Sequence, residues 1–300
     1  MPDIHNQNIE IPPFLRDFLT AQYGAELTED IVTGYREIRP VTIRVNRLKA
    51  TREEVARELS ACGISFRVAE WYSDALVLEG VREEALQSTP LYQEGKIYLQ
   101  SLSSMLPPLY LGPEKGDEIL DMTAAPGGKT TQLSALSDGG AFITACERDK
   151  IRFDRLSYNV RKQGAPRVNT LLADALKLDD FLRFDKILLD APCSGSGTLG
   201  PREPIKISEK LIKNCALLQE KLLKKAVGLL KKGGTLVYST CSILREENER
   251  VLERVLSGGV ELVPIAPDPD LPLLPSMAGT VCVKPTSLFE GFFLAKLKKL

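Results

Sequence analysis

From about residue 96 onward the sequence predicts an α/β fold, with a doubly wound, mainly parallel sheet and helices on both faces, preceded by a small α+β unit. The first observation behind this is that five segments, EILDMTA, AFITACE, VNTLLAD, FDKILLDAP and GTLVYSTC, alternate with helical stretches. The second is that these segments are apolar nearly throughout, as strands are when both sheet faces are covered. The third is that the N-terminal 95 residues read as two helices and then a β-α-β-β run.

Taken in order, residues 12–35 carry helical periodicity broken at Gly24, which predicts two short helices. VTIRVNRLKA follows as a strand with Val41, Ile43 and Val45 alternating on one side. TREEVARELSACGI reads as an amphipathic helix, N-capped by Thr51 with acidic residues in its first turn. Cys62, just before the closing Gly63, is expected to pack. SFRVAEW and ALVLEG complete the first unit, so the expected division is 1–95 and 96–300. In the second unit the helices are KTTQLSALS, KIRFDRLSYNVRKQG and ISEKLIKNCALLQEKLLKKAVGLLKKG. The lysines closing the last of these are expected to complement a helix dipole.

Composition narrows the function classes. The 300 residues are 43% hydrophobic and 26% charged, with a net charge of −1, so nucleic-acid binding would need a local basic patch. No apolar run approaches the roughly 18–20 residues of a membrane span, and MPDIHNQNIEIPPF lacks the build of a signal peptide. A cytoplasmic protein without a membrane partner is the expectation, as a monomer. Cysteines stand at 62, 146, 193, 215, 241 and 282, none as C-x-x-C, and His5 is the single histidine. No metal site is expected from such spacing, nor histidine acid–base chemistry, and the thiols should be reduced.

In sheets of this kind ligands sit beyond the carboxyl ends of the strands, and the notable motifs fall there. The first strand runs into Asp121-Met-Thr-Ala-Ala-Pro-Gly-Gly-Lys-Thr130. Glycines between strand and helix let backbone approach a ligand, although a plain tight turn would need them too. A P-loop would need a leading glycine where Thr123 stands, and the G-x-G-x-x-G of a dinucleotide site is absent. Glu147, ending the second strand, suits ribose hydroxyls, whereas Asp149 is placed to cap the next helix. Asp174 ends the third. Each carboxylate alone reads as solvated surface; Asp121, Glu147 and Asp174 together describe a nucleoside-type pocket. S-adenosylmethionine fits it better than NAD, for want of a pyrophosphate cradle. The fourth and fifth strands end in Asp190-Ala-Pro-Cys193-Ser-Gly-Ser-Gly197 and Ser239-Thr-Cys241-Ser242. Cys146 and Cys215 sit in apolar stretches and read as core. Cys193 and Cys241 stand at loop entries, expected to meet in one crevice beside Asp190.

With these residues assembled, the chain resembles the Fmu/Sun-type (Nol/Nop/Sun) RNA 5-methylcytosine methyltransferases. The matching segments are LDMTAAPGGKTTQL, ACERDKIRFDRL, LLADAL, FDKILLDAPCSGSG, GGTLVYSTCSILREENE and GFFLAKL, with TIRVN matching more weakly. The resemblance implies a Rossmann-like class I methyltransferase domain behind a small RRM-like RNA-binding unit. It implies S-adenosyl-L-methionine as cofactor, held by Ala124, Ala125, Pro126, Gly127, Gly128, Lys129, Glu147, Arg152, Asp174 and Asp190. It also implies Cys241 as nucleophile on cytosine C6, Cys193 assisting release, and Asp190 at the base edge with Lys129 in reach. The partner is RNA, with ribosomal RNA favoured over transfer RNA. Arg44, Asn46, Arg47, Arg202 and Lys206 are candidate RNA contacts. One departure stands out: the family often has an Arg-Arg-x-Pro segment ending in Trp where this chain has PREPIKI. A nucleotide-dependent oxidoreductase on the same fold is the alternative that the missing dinucleotide glycines disfavour.

Overall fold

The computed structural model describes residues 10–201, 205–256 and 259–300. Helices α1 (Pro13–Tyr23) and α2 (Ala25–Arg36) meet at Gly24, whose φ of 83° only glycine adopts without strain. Both turn inward the residues their helical spacing aligns, Leu15, Leu19 and Tyr23 on α1 and Ile31, Val32 and Tyr35 on α2. Those side chains join the main core, with Leu120, Leu189, Leu236 and Phe293. The helices thus pack on the larger sheet, although the division at 95/96 groups them with the smaller one.

The smaller sheet is built from β1 (Thr42–Val45), α3 (Arg52–Ala61), β2 (Phe66–Ala69) and β3 (Tyr72–Leu78). After two short helices, α4 (Glu83–Gln87) and α5 (Pro90–Gln93), comes β4 (Ile97–Leu99). Its order is β2-β3-β1-β4 with antiparallel neighbours, and β4, unanticipated, lies just past residue 95. Thr51 caps α3 in a reciprocal box with Glu54. Cys62 does not pack as expected. It is exposed, because α3 turns Val55 and Leu59 inward and Cys62 falls beyond that stripe.

The larger sheet follows α6 (Leu102–Leu111). It comprises β5 (Glu118–Asp121), α7 (Gly128–Leu136), β6 (Phe142–Glu147), α8 (Lys150–Gln163), β7 (Val168–Leu172) and β8 (Phe184–Asp190). Then come α9 (Glu209–Leu229), β9 (Leu230–Thr240), α10 (Glu249–Glu253), β10 (Val260–Val263), β11 (Val281–Val283) and β12 (Phe292–Lys299). The order is β10-β12-β9-β8-β5-β6-β7, with β11 beside β12. Neighbours among β5 to β9 are parallel, and β12 is antiparallel to β9. The strand order reverses between β5 and β8, the place where such sheets open a crevice.

Two local outcomes differ from the sequence reading. Pro107 and Pro108 argue against a helix, yet α6 forms around them. The Ser104 carbonyl, which Pro108 cannot satisfy, accepts instead from Gln100 Nε2 at 3.1 Å. The lysines after α9 do not complement its dipole: the helix ends at Leu229, and Lys231 and Lys232 belong to β9. Lys231 there pairs with Glu118 and Asp185 of neighbouring strands.

Candidate active site

The loop leaving β5 is shaped by glycine and held by side chains from three elements. Gly127 has φ 107°, and a Cβ on Gly128 would stand 2.9 Å from the Tyr98 ring of β4. Asn159 Nδ2 donates to Pro126 O at 2.8 Å, and Arg152 donates to Ala125 O at 3.0 Å. Asp121, ending β5, is buried and accepts from Thr130 Oγ1 at 2.7 Å. Burial, with a smaller contribution from the charge of Asp190, pushes its carboxyl up to about 7.

At the next two strand ends lie the expected carboxylates. Glu147 is buried, accepts from Asp149 N at 2.9 Å and faces Arg152 at 3.6 Å. Asp149 caps α8 through Arg152 N, as expected. Asp174 accepts from Leu176 N and lines a hollow with Met122, Thr123 and Arg148. Asp121, Lys129 and Asp190 border a separate, open cleft of about 220 Å³ on the other side of Thr123, with Tyr98 and Ser104.

Asp190 is the hub of that cleft. Lys129 Nζ pairs with Asp190 Oδ2 at 2.7 Å, while Ser239 Oγ donates to Oδ1 at 2.8 Å. Lys129 also donates to Ser104 Oγ at 2.7 Å and lies 5.6 Å over the Phe292 ring. Beyond Asp190 the ends of β8 and β9 bring Cys193 Sγ and Cys241 Sγ to 2.8 Å. Contact with Cys241, together with burial, holds the Cys193 thiol well above its usual range. Cys193 therefore keeps its proton at neutral pH and offers it to the Cys241 sulfur. The other buried thiols do core work: Cys146 is fully covered, and Cys215 lies on the inner stripe of α9.

Several positioning groups escaped the sequence reading. Glu247 accepts from Ser194 N at 2.7 Å, Ser194 Oγ at 2.5 Å and Ser242 Oγ at 2.6 Å. One buried carboxylate thus grips the residue after each cysteine, and its burial raises it above the usual carboxylate range. From behind, Tyr35 OH donates to Ser196 O at 2.5 Å and Tyr23 OH to Ile243 O at 2.6 Å. The acid-rich REENE run after STCS was the available signal for Glu247; nothing local marked the tyrosines.

The candidate RNA contacts are only partly placed for that role. Arg44 and Asn46 are buried and are corrected here: neither is a surface group. Arg44 bonds Gln100 Oε1 at 2.9 Å, Thr131 Oγ1 at 3.0 Å and Gly128 O at 3.4 Å, tying β1 to α7. Asn46 donates to Gly95 O and Gln163 O. Arg47 is half exposed and faces Asp74 at 3.8 Å, and Lys206 is exposed. Arg202 lies outside the described residues. Among the described residues no group of three or more His, Cys, Asp or Glu could hold a metal ion. None of their helices is long and apolar enough to cross a membrane.

Comparison with known proteins adds a family. The model of the 16S rRNA methyltransferase RsmB/F family matches residues 108–298, and that of the RsmF/B-like ferredoxin-like domain matches residues 11–83. The ribosomal RNA small subunit methyltransferase F of Shewanella woodyi is 37% identical over 92% of this chain and 61% of its own length. The human 28S rRNA (cytosine(4447)-C(5))-methyltransferase is 36% identical over 87% of this chain and 34% of its own. The chain thus spans between about a third and three-fifths of these relatives. A methyltransferase homolog protein from Pyrococcus horikoshii covers 97% of this chain and 100% of its own at 34% identity, with a TM-score of 0.82. NSun6 from the same organism, solved with SFG, covers 96% and 98% at 25% identity, with a TM-score of 0.87.

Proposed function

We infer the reaction from one premise: this chain belongs to the RsmB/F family of methyltransferases. On that basis we propose that it methylates C5 of a cytosine in ribosomal RNA, with S-adenosylmethionine as methyl donor. The observation that carries the reading is the pair of thiols 2.8 Å apart beside the Lys129–Asp190 ion pair, at the sheet's switch point.

The residues present fit the cofactor. Gly127 and Gly128 leave the loop free of side chain where a ligand would approach, and the buried Glu147 carboxylate sits at the strand end suited to ribose hydroxyls. Ala124 to Gly128, Glu147, Asp174 and Asp190 would hold it, with Arg152 bracing both the loop and Glu147. S-adenosylmethionine, when bound, supplies an electrophilic methyl group on a sulfonium sulfur. The protein's own task is to make C5 nucleophilic. Cys241, as thiolate, adds its sulfur to C6 and displaces the double-bond electrons toward C5. Asp190 and Lys129 hold the N3/N4 edge, where charge changes during addition. After methylation a base takes the C5 proton, the C6–Sγ bond breaks, and Cys241 Sγ keeps the electron pair. Cys193, protonated and in contact, hydrogen-bonds the departing sulfur and so assists release.

Incubation with unmodified ribosomal and transfer RNA, followed by bisulfite mapping, tests the reading. New 5-methylcytosines in ribosomal RNA are expected; methylation confined to transfer RNA, or to another atom, would overturn it. S-adenosylhomocysteine should raise the melting temperature, and NAD and ATP should leave it unchanged.

A further inference from the structure

Helix α8 turns Leu156, Val160 and Gln163 inward. Its outer side carries Ile151, Arg155, Tyr158 and Lys162 at i, i+4, i+7 and i+11, a single stripe. A solvated helix face is ordinarily polar. Here Ile151 is 68% exposed and Tyr158 56%. Lys162 Nζ stands 3.4 Å from the centroid of the Tyr92 ring and 5.7 Å from that of Tyr158, so a cation is shared by two aromatic faces. The helix is strongly basic: Lys150, Arg152, Arg155, Arg161 and Lys162 stand against Asp154 alone, and Asp154 is paired with Lys150. Glu83 is the acid that faces Tyr92.

The stripe is continuous with the cleft. Asn159, beside Tyr158, donates to Tyr98 OH at 3.4 Å and to Pro126 O in the loop after β5. Tyr98 and Leu99 border both the hollow containing Lys162 and the cleft in which Lys129 meets Asp190. A surface therefore runs from the reacting groups, past Tyr98, onto the outer face of α8.

We propose that this face is the track for single-stranded RNA flanking the target cytosine: bases stack on Tyr158 and Tyr92, and phosphates meet Arg155 and Lys162. The inference rests on the reading of the chain as an RNA methyltransferase and deepens it by naming the surface and the strand state. A base that reaches an enclosed site must leave its stack, so its neighbours arrive unpaired. Aromatic faces interleaved with cations are what single strands bind, since every base has a face to stack and every linkage a charge. A docked apolar peptide would use Ile151 and Tyr158 but would have no need of the cations.

The test uses the full chain and two readouts. The first is fluorescence anisotropy of an unstructured oligoribonucleotide of about twelve nucleotides at about 50 and 200 mM salt. The second is KM and kcat on an unmodified small-subunit rRNA transcript. Tyr158→Ala should weaken binding and raise KM by about tenfold, with kcat within about twofold, while Tyr158→Phe behaves as wild type. Arg155→Glu with Lys162→Glu should reduce the slope of log affinity against log salt by about two. Lys213→Glu, an exposed change on α9, should alter neither readout. Wild-type binding and KM in the α8 variants would overturn the proposal, as would a loss in Tyr158→Ala confined to kcat. The two ideas fail separately. Methylation by the wild type with unaffected variants removes the track and leaves the reaction; Tyr158-dependent RNA binding without methylation does the reverse.

Discussion

Cys193 and Cys241 are chemically alike and touch at 2.8 Å, so their environments must divide their roles. Cys193 is held protonated by its neighbour and by burial, which leaves Cys241 as the sulfur able to attack. Cys241→Ala is therefore expected to abolish both methylation and covalent RNA adducts. Cys193→Ala should instead accumulate an RNA–protein adduct that survives denaturing electrophoresis. Adduct from the Cys241 variant, or normal turnover by the Cys193 variant, would reverse the assignment. Asp121 offers a second test. Burial raises its carboxyl from an ordinary value of 3.8 to about 7, so between those pH values the folded state holds a proton that the unfolded chain releases. Stability must then fall as pH rises through that window. Asp121→Asn, which can still accept from Thr130, should be more stable than wild type at pH 8 by up to about 4 kcal/mol and should lose that advantage near pH 4. Urea unfolding at both pH values measures it; a pH-independent difference would refute the account.

At the scale of elements, the loops after β8 and β9 are placed by one another. Gly197 N donates to Cys241 O at 2.9 Å and Gly291 N to Gly197 O at 2.7 Å, so three segments meet at backbone distance. A Cβ on Gly197 would stand 2.1 Å from Gly291 O and 2.9 Å from Cys241 O. Neither contact is with a side chain that could swing away. Gly197→Ala should therefore cost about 1–3 kcal/mol in denaturant unfolding and should also suppress the Cys241 adduct. Loss of stability with full adduct formation would show that the thiols do not depend on this junction. Much of this element was legible. Pro, Ser and Gly around each cysteine placed both at loop entries, and apolar strands placed those loops on one rim. Contact between Gly197 and Gly291 was not legible, because it joins residues far apart in the chain through backbone atoms that carry no residue-specific pattern.

Across the whole molecule, Arg44 fastens the smaller sheet to the larger one. It is fully buried, and its guanidinium reaches Gln100, Thr131 and the carbonyl of Gly128 in the loop assigned to the cofactor. Arg44→Ala is expected to destabilise the fold by about 3–5 kcal/mol, through lost packing and polar groups left unpaired. It should also weaken S-adenosylhomocysteine binding in calorimetry, since the Gly128 loop loses a brace. Unchanged affinity in a destabilised variant would confine Arg44 to a purely structural role.

The sequence by itself determined what period and residue type encode: the alternating strands and helices, the Gly24 break, the Thr51 cap, and the carboxylates and cysteines at strand ends. These are local, because side-chain spacing and turn chemistry act over a few residues. Tertiary structure alone decided that Arg44 and Asn46, polar enough to read as RNA contacts, are buried between the two sheets. It also decided that Glu247 straps both cysteine loops, that Tyr23 and Tyr35 brace them from the N-terminal helices, and that α6 survives two prolines. Each of these outcomes depends on where a polar group finds its hydrogen-bond partner across long sequence separation. Burial of such a group is tolerated only once that partner is in place.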